Sequence, residues 1–175
     1  MAEKGYFNTT TRMISKKANI AIGTIYTNFK SKEDILDHIF ETEYNKRAAY
    51  LNSLETVSCS HIEKFHFFLD FHFNELSKNE CLTTVLIRES TNPELQHLKG
   101  VEKFIYQLPH FFKIILEKAL DAGEIRQLNS SVTAEIIFNT IRGTVFSIAL
   151  KNDKYDFEEI KQELKDFITY AIKKI

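Results

Sequence analysis

The stretch GTIYTNFKSKEDIL, residues 23–36, reads as the end of a short helix, a polar break and the opening of a longer helix. Its basic residues, Lys30 and Lys32, flank Ser31 at the break, and its aromatic residues are Tyr26 and Phe29. Upstream, Thr9, Thr10 and Thr11 can each cap a helix, because a threonine hydroxyl accepts from a free first-turn amide. That helix runs through Lys17 and stops at Ala18-Asn19-Ile20, where asparagine tolerates the left-handed conformation that otherwise calls for glycine. A second helix, from about Ala21 to Asn28, puts Ile22, Ile25 and Phe29 on its buried side and leaves Thr24, Tyr26, Thr27 and Asn28 outside. Two helices joined by a tight turn, the second exposing hydrogen-bonding side chains, make a helix-turn-helix that can lay its second helix in a major groove.

The charge distribution supports that reading. The chain carries a formal net charge of -1, yet Lys4, Arg12, Lys16, Lys17, Lys30 and Lys32 face the single acid Glu3 among the first 32 residues. A basic head on an acidic body points to a polyanion as the partner of the head.

Composition bounds the rest. The 175 residues fit one or two domains with a sizeable core, and 43 % apolar content excludes general disorder. Five glycines and two prolines leave few breaks, so an all-α fold is expected. No apolar run reaches the ~18 residues of a membrane helix, and the N-terminus lacks a signal-peptide core, so a cytosolic location is expected. Cys59 and Cys81 lack metal-ligand spacing and read as reduced thiols. GxSxG, GxxxxGK[ST], HExxH and the Rossmann glycines are all missing, so neither an enzyme nor a cofactor is indicated. His66 and Asp70, four apart on a helix, could clamp a metal but read more simply as a surface pair.

Gly5-Tyr6, Thr9-Thr10-Thr11, Ile14, Ala18-Asn19-Ile20, Gly23-Thr24-Ile25-Tyr26, Phe29, Lys32-Glu33 and Ile35-Leu36 together resemble, without a gap, the DNA-binding domain of the TetR family of bacterial repressors. The resemblance implies a double-stranded DNA operator as partner, a recognition helix starting at Ala21, and a DNA-contacting set of Thr10, Thr11, Ala21, Gly23, Thr24, Tyr26, Thr27, Asn28 and Lys32. By the same resemblance Thr10 or Thr11, together with Lys32, is expected to hold phosphates and Tyr26 to lie against the DNA backbone. The sequence departs from the family pattern at Asn19, Ala21 and Ile22, where glycine, serine and often lysine are usual. It also has only Met1 to Lys4 where the family has a full first helix, so that helix is expected to be truncated. The domain plan is residues 1–45 for the head and 46–175 for a helical ligand-binding and dimerisation body.

Within the body, helices are expected over about 32–54, 60–77, 82–90, 94–122 with a kink at Pro109, 132–150 and 157–174. The segment KFHFFLDFHF is apolar on nearly every side, which predicts a central buried helix. Apolar stripes on the last two helices include Ile141, Val145 and Ile148, then Leu164, Phe167, Ile168 and Ala171. TetR-like proteins pair their last two helices with those of a second copy, so these residues are assigned to a homodimer interface. Fifteen phenylalanines and no tryptophan suit an apolar cavity walled by Phe65, Phe68, Phe71, Phe104, Phe111 and Phe112. Arg88 and Arg142, in otherwise apolar helices, are either ion-paired or anchors for an acidic ligand head.

The segments RESTNPEL and KNDKYDF look similar to fatty-acid-responsive members of the family, which implies a small apolar ligand such as a fatty acid or acyl-CoA. Two functions follow: a ligand-responsive repressor released from DNA by that ligand, or an all-helical ligand-binding or interaction protein whose head is incomplete.

Overall fold

The computed structural model describes residues 1–151 and 157–174, and side chains up to residue 147 in the first of these segments. The segment KNDKYDF therefore lies almost wholly outside the described residues, and so does the side chain of Ile148. The described elements are helical, with one isolated bridge between Ile125 and Lys173.

The head forms α1 (Thr11–Ala18) and α2 (Ile22–Asn28). Thr10 caps α1, its side chain accepting from the Met13 amide at 3.2 Å. The helix ends with Asn19 at φ +53°, the Asn19 amide on the Lys16 carbonyl and the Ile20 amide on the Ser15 carbonyl. Those two bonds satisfy carbonyls that the helix end would otherwise leave open. Ala21 offers α2 no side-chain cap. Burial in this seven-residue helix is confined to the turn around Ile25, so Ile22 is exposed, against its expected place on the inner face. Tyr6 supplies core in the segment before α1, where Gly5 takes φ +81°.

α3 (Lys32–Ser53) starts at Ser31, whose side chain accepts from the Asp34 amide, and runs 22 residues out of the head into the body. α4 (His61–Ser77) opens on a capping box between Ser60 and Glu63. It is the central helix predicted from its composition, packed against α3, α5 (Glu80–Ser90), α7 (Leu108–Asp121) and α9 (Phe157–Ile172).

The single helix expected over 94–122 is in fact broken. A short 3-10 turn at Pro93–Leu95 is followed by α6 (Lys99–Glu102), a π-helical turn at Lys103–Gln107, and then α7. Pro109 stands second in α7, and its ring nitrogen cannot donate to the Ile105 carbonyl; the wider π turn ends where that bond would have formed. Gly100 brings α6 against α3: a Cβ there would sit 2.3 Å from the Asp37 carbonyl oxygen. Its amide donates to Asp37 Oδ1 at 2.5 Å. α8 (Ser130–Lys151) packs along α7.

Candidate DNA-binding head and ligand cavity

On the head, Ala21, Gly23, Thr24, Tyr26, Thr27 and Asn28 are all exposed along α2, and Thr10 is exposed at the cap of α1. The Tyr26 and Thr11 hydroxyls lie 2.9 Å apart, which holds the ring across both helices. Thr27 donates to the Gly23 carbonyl and Asn28 to the Thr24 carbonyl, so both side chains are ordered along the helix. Lys32 is more enclosed than expected: its ammonium donates to the Tyr6 carbonyl at 2.7 Å and lies 4.0 Å from the centre of the Tyr6 ring. An ammonium has three donors, so this contact orients Lys32 and leaves two N–H groups for an anion.

Within the body an apolar cavity of about 40 Å³ is lined by five elements. α4 contributes Phe68, His72 and Leu76, and α5 contributes Leu86, Ile87 and Ser90. Phe104, Leu108 and Phe112 close it from the π turn and α7, and Phe138, Ile141, Arg142 and Val145 from α8. Of the sequence-predicted wall, Phe68, Phe104, Phe112 and Arg142 line this space and the others do not. Phe65 is buried one layer away, its ring 4.8 Å from that of Phe112. Phe71 points to the other side of α4 and stacks on Tyr50 at 4.1 Å, and Phe111 is a partly buried flank of the core. Arg88 is drawn away by Glu89, at 2.9 Å, and by the carbonyls of Met1 and Ala2, which is the ion-pair alternative for this residue. Arg142 is half-buried, bonded to Asn139 Oδ1 at 2.8 Å and lying over the Phe138 ring.

A buried polar pair behind His72 carries no mark in the sequence. Arg47 is completely buried: its Nη1 donates to Glu43 Oε2 at 2.7 Å and to the Glu43 carbonyl, and its Nε donates to His72 Nδ1 at 2.9 Å. Burial, followed by the Arg47 charge, holds His72 well below the usual histidine range, so its ring is neutral. Burial also lowers Arg47, while the bond to Glu43 opposes that shift. Glu43 and Arg47 stand four apart on a long polar helix, a spacing that in sequence looks like an ordinary exposed pair. What sets them apart is the packing of α4 over that face.

The dimer assignments divide by orientation. Ile141 and Val145 turn inward to the cavity, and Leu164 and Ile168 are buried in the chain's own core, because α8 lies on α7 and α9 on α4. They are therefore corrected to core residues. Phe167 and Ala171 face outward, and Phe167 is 59 % exposed. Val132, Ile136 and Tyr170, all large and exposed, also lie on the outer faces of these helices.

Besides the Gly100–Asp37 bond, several further contacts among the described residues tie head to body. Tyr6 donates its amide to the buried Glu89, Arg88 holds the Met1 and Ala2 carbonyls, and Lys103 pairs with Glu41 at 2.5 Å. The metal clamp is not formed, since His66 Nε2 lies 2.8 Å from the Thr169 hydroxyl and Asp70 pairs with Lys165. No described helix is long and apolar enough to cross a membrane.

Comparison with known proteins agrees with this architecture. Residues 1–39 match the family of bacterial regulatory proteins, tetR family, and residues 45–171 match the YsiA-like protein C-terminal region. A fatty acid metabolism regulator protein of Bacillus subtilis is 26 % identical over 173 residues, covering 98 % of this chain and 89 % of its own length. The crystal structure of the transcriptional regulator FadR from Bacillus subtilis in complex with stearoyl-CoA superposes with a TM-score of 0.83 at 27 % identity, over 95 % of this chain and 90 % of that one. The fatty acid degradation regulator FadR from Bacillus halodurans, at 24 % identity over 95 % of this chain and 87 % of its own, shares the fold with a TM-score of 0.85. With a helix-turn-helix head and a matching helical body, the chain belongs to the TetR family of bacterial transcriptional regulators.

Proposed function

We propose that this protein is a cytoplasmic, homodimeric repressor that binds a double-stranded DNA operator and releases it when a long-chain acyl ligand, a fatty acid or acyl-CoA, occupies the body. The observation that carries this reading is the double duty of α5. Leu86, Ile87 and Ser90 line the cavity, while Arg88 and Glu89, in the same turns, hold the first residues of the head. A space of about 40 Å³ takes only a few water molecules and is far too small for an acyl chain. A chain can therefore be bound only if α5 or its neighbours move apart, and the ligand favours the opened state by its differential affinity. Two heads paired through the outer faces of α8 and α9 would address half-sites about 34 Å apart. The relative that carries stearoyl-CoA supports the choice of ligand.

The test is duplex DNA selected by the protein from a random pool, followed by anisotropy titration with and without palmitoyl-CoA. Binding that weakens with the ligand is the expected result. Failure to select any duplex would instead favour an interaction protein without a DNA role.

A further inference from the structure

Ile22 is 42 % exposed at the start of α2, and Ile20, two residues before it, is 44 % exposed. The leading end of the helix, Ile20-Ala21-Ile22-Gly23, is exposed throughout and carries no hydrogen-bonding side chain. Its trailing end differs, since Thr24, Thr27 and Asn28 are polar as well as exposed. An isoleucine left in water gains stability only from a partner that covers it with apolar surface.

Gly23 points to a partner independently. A Cβ there would meet nothing within 4 Å, and the backbone does not take the positive φ that calls for glycine. Glycine weakens a helix relative to alanine, so the chain's own fold gives no reason for it at this position. Its missing side chain leaves the surface beside Ile22 open to close approach.

Charge and position identify what approaches. Six basic residues stand against one acid among the first 32, so the surface of the head suits a polyanion. When a recognition helix enters the major groove, its first residues reach the base edges, while phosphates are held around them. Ile22 can bind neither a phosphate nor a base donor or acceptor. The apolar group that base edges present in that groove is the 5-methyl of thymine.

We propose that Ile22 is a specificity-determining residue whose side chain packs on the 5-methyl group of a thymine in the operator, with Gly23 leaving room for the base edge. This assignment rests on the DNA-binding reading given above and adds which base feature the leading end of α2 selects.

The test uses the full chain and the duplex that it selects from a random pool. Each thymine of that duplex is replaced in turn by deoxyuridine, which lacks only the 5-methyl group and keeps every hydrogen-bonding group, and affinity is read by anisotropy. The wild type is expected to lose about fourfold or more at one thymine, the worth of burying one methyl group. Ile22→Ala should bind the unsubstituted duplex more weakly by about the same factor. It should also become indifferent to uracil at that one position while keeping the wild-type response elsewhere. A wild type indifferent to uracil at every position overturns the assignment, and so does an Ile22→Ala chain with the full uracil response of the wild type. Unchanged DNA affinity in that variant together with altered sedimentation gives the patch to a second copy of the chain, which overturns it as well.

Should Ile22→Ala not fold, wild type labelled with carbon-13 in its isoleucine δ methyls decides. A nuclear Overhauser contact between Ile22 and a thymine methyl sustains the assignment, and its absence from a complex that shows other contacts to DNA overturns it. A wild type that selects no duplex defeats the DNA-binding reading itself, a result separable from all of these.

Discussion

The backbone amide of Tyr6 donates to Glu89 Oε1 at 3.0 Å, joining residues 83 positions apart and fixing the head to the middle of the body. Glu89 is buried and also accepts from Arg88 Nε at 2.9 Å. Its neighbours Ile87 and Ser90 line the cavity. A displacement of α5 large enough to admit an acyl chain therefore strains this contact directly.

Glu89→Gln keeps the size of the side chain and removes its charge. The variant is expected to lose about 1.5–3 kcal/mol of stability, the worth of hydrogen bonds to a charged group. Urea denaturation measures that loss. The same variant should still bind acyl ligand, yet its DNA affinity should respond less to that ligand than the wild type's does. An undiminished response would remove Glu89 from the coupling.

Lys32 tests the opening stretch. Its ammonium is held at the start of α3 by the Tyr6 carbonyl and ring, and the proposed function gives it a DNA phosphate. Lys32→Ala should weaken binding to all DNA sequences alike and reduce the slope of log affinity against log salt by about 0.9. Replacing Thr24, Thr27 or Asn28 should instead cost about 1–3 kcal/mol on the selected site only. An unchanged salt slope for Lys32→Ala would mean that Lys32 only braces Tyr6.

His72 makes a prediction about pH. Its folded-state value lies well below the ordinary one, chiefly through burial, so between the two values the unfolded chain binds a proton that the native ring refuses. Stability must then rise with pH in that window and fall as pH drops below ~6.5, by up to ~1.4 kcal/mol per unit from this residue. Above ~6.5 the contribution vanishes. His66 is lowered too, by burial and then by Lys165, and adds in the same sense. Melts of the wild type and His72→Gln between pH 7 and 5 should show a shallower acid loss in the variant. Parallel curves would show that His72 carries no such linkage.

Phe167→Glu tests the pairing face. The ring is 59 % exposed, so a charge there disturbs little of the chain's own core, while an apolar interface would have to desolvate it. Sedimentation is expected to give a folded monomer. Leu164→Glu, by contrast, buries its charge inside the chain and should prevent folding. A Phe167→Glu protein that remains dimeric would move the interface elsewhere.

Much of this architecture was legible in the sequence because local signals are strong. Thr10, Asn19, Ser31 and Ser60 take the terminal positions that their side chains favour, and the apolar run of α4 becomes the central helix. The helix expected over 94–122 is instead interrupted after Leu95 and again by the π turn at Lys103–Gln107 that precedes Pro109. Helical periodicity identifies an apolar face and says nothing of which neighbour covers it. Only the family resemblance points Ile141, Val145, Leu164 and Ile168 to a second copy, whereas their own chain buries them. Arg88 was similarly ambiguous, since its partners Met1, Ala2 and Glu89 meet it only through the fold. Arg47 and His72 lie 25 residues apart, and nothing local marks either as part of a buried pair.

The central claim is that the cavity and the DNA-binding head exchange free energy through α3 and α5. The most direct measurement is palmitoyl-CoA affinity determined twice by titration, once for the free protein and once for the protein saturated with its selected duplex. Because coupling between two ligands is reciprocal, the account predicts that DNA lowers palmitoyl-CoA affinity by the same factor by which palmitoyl-CoA lowers DNA affinity, about 5- to 150-fold. Tight palmitoyl-CoA binding that is identical with and without DNA would contradict it.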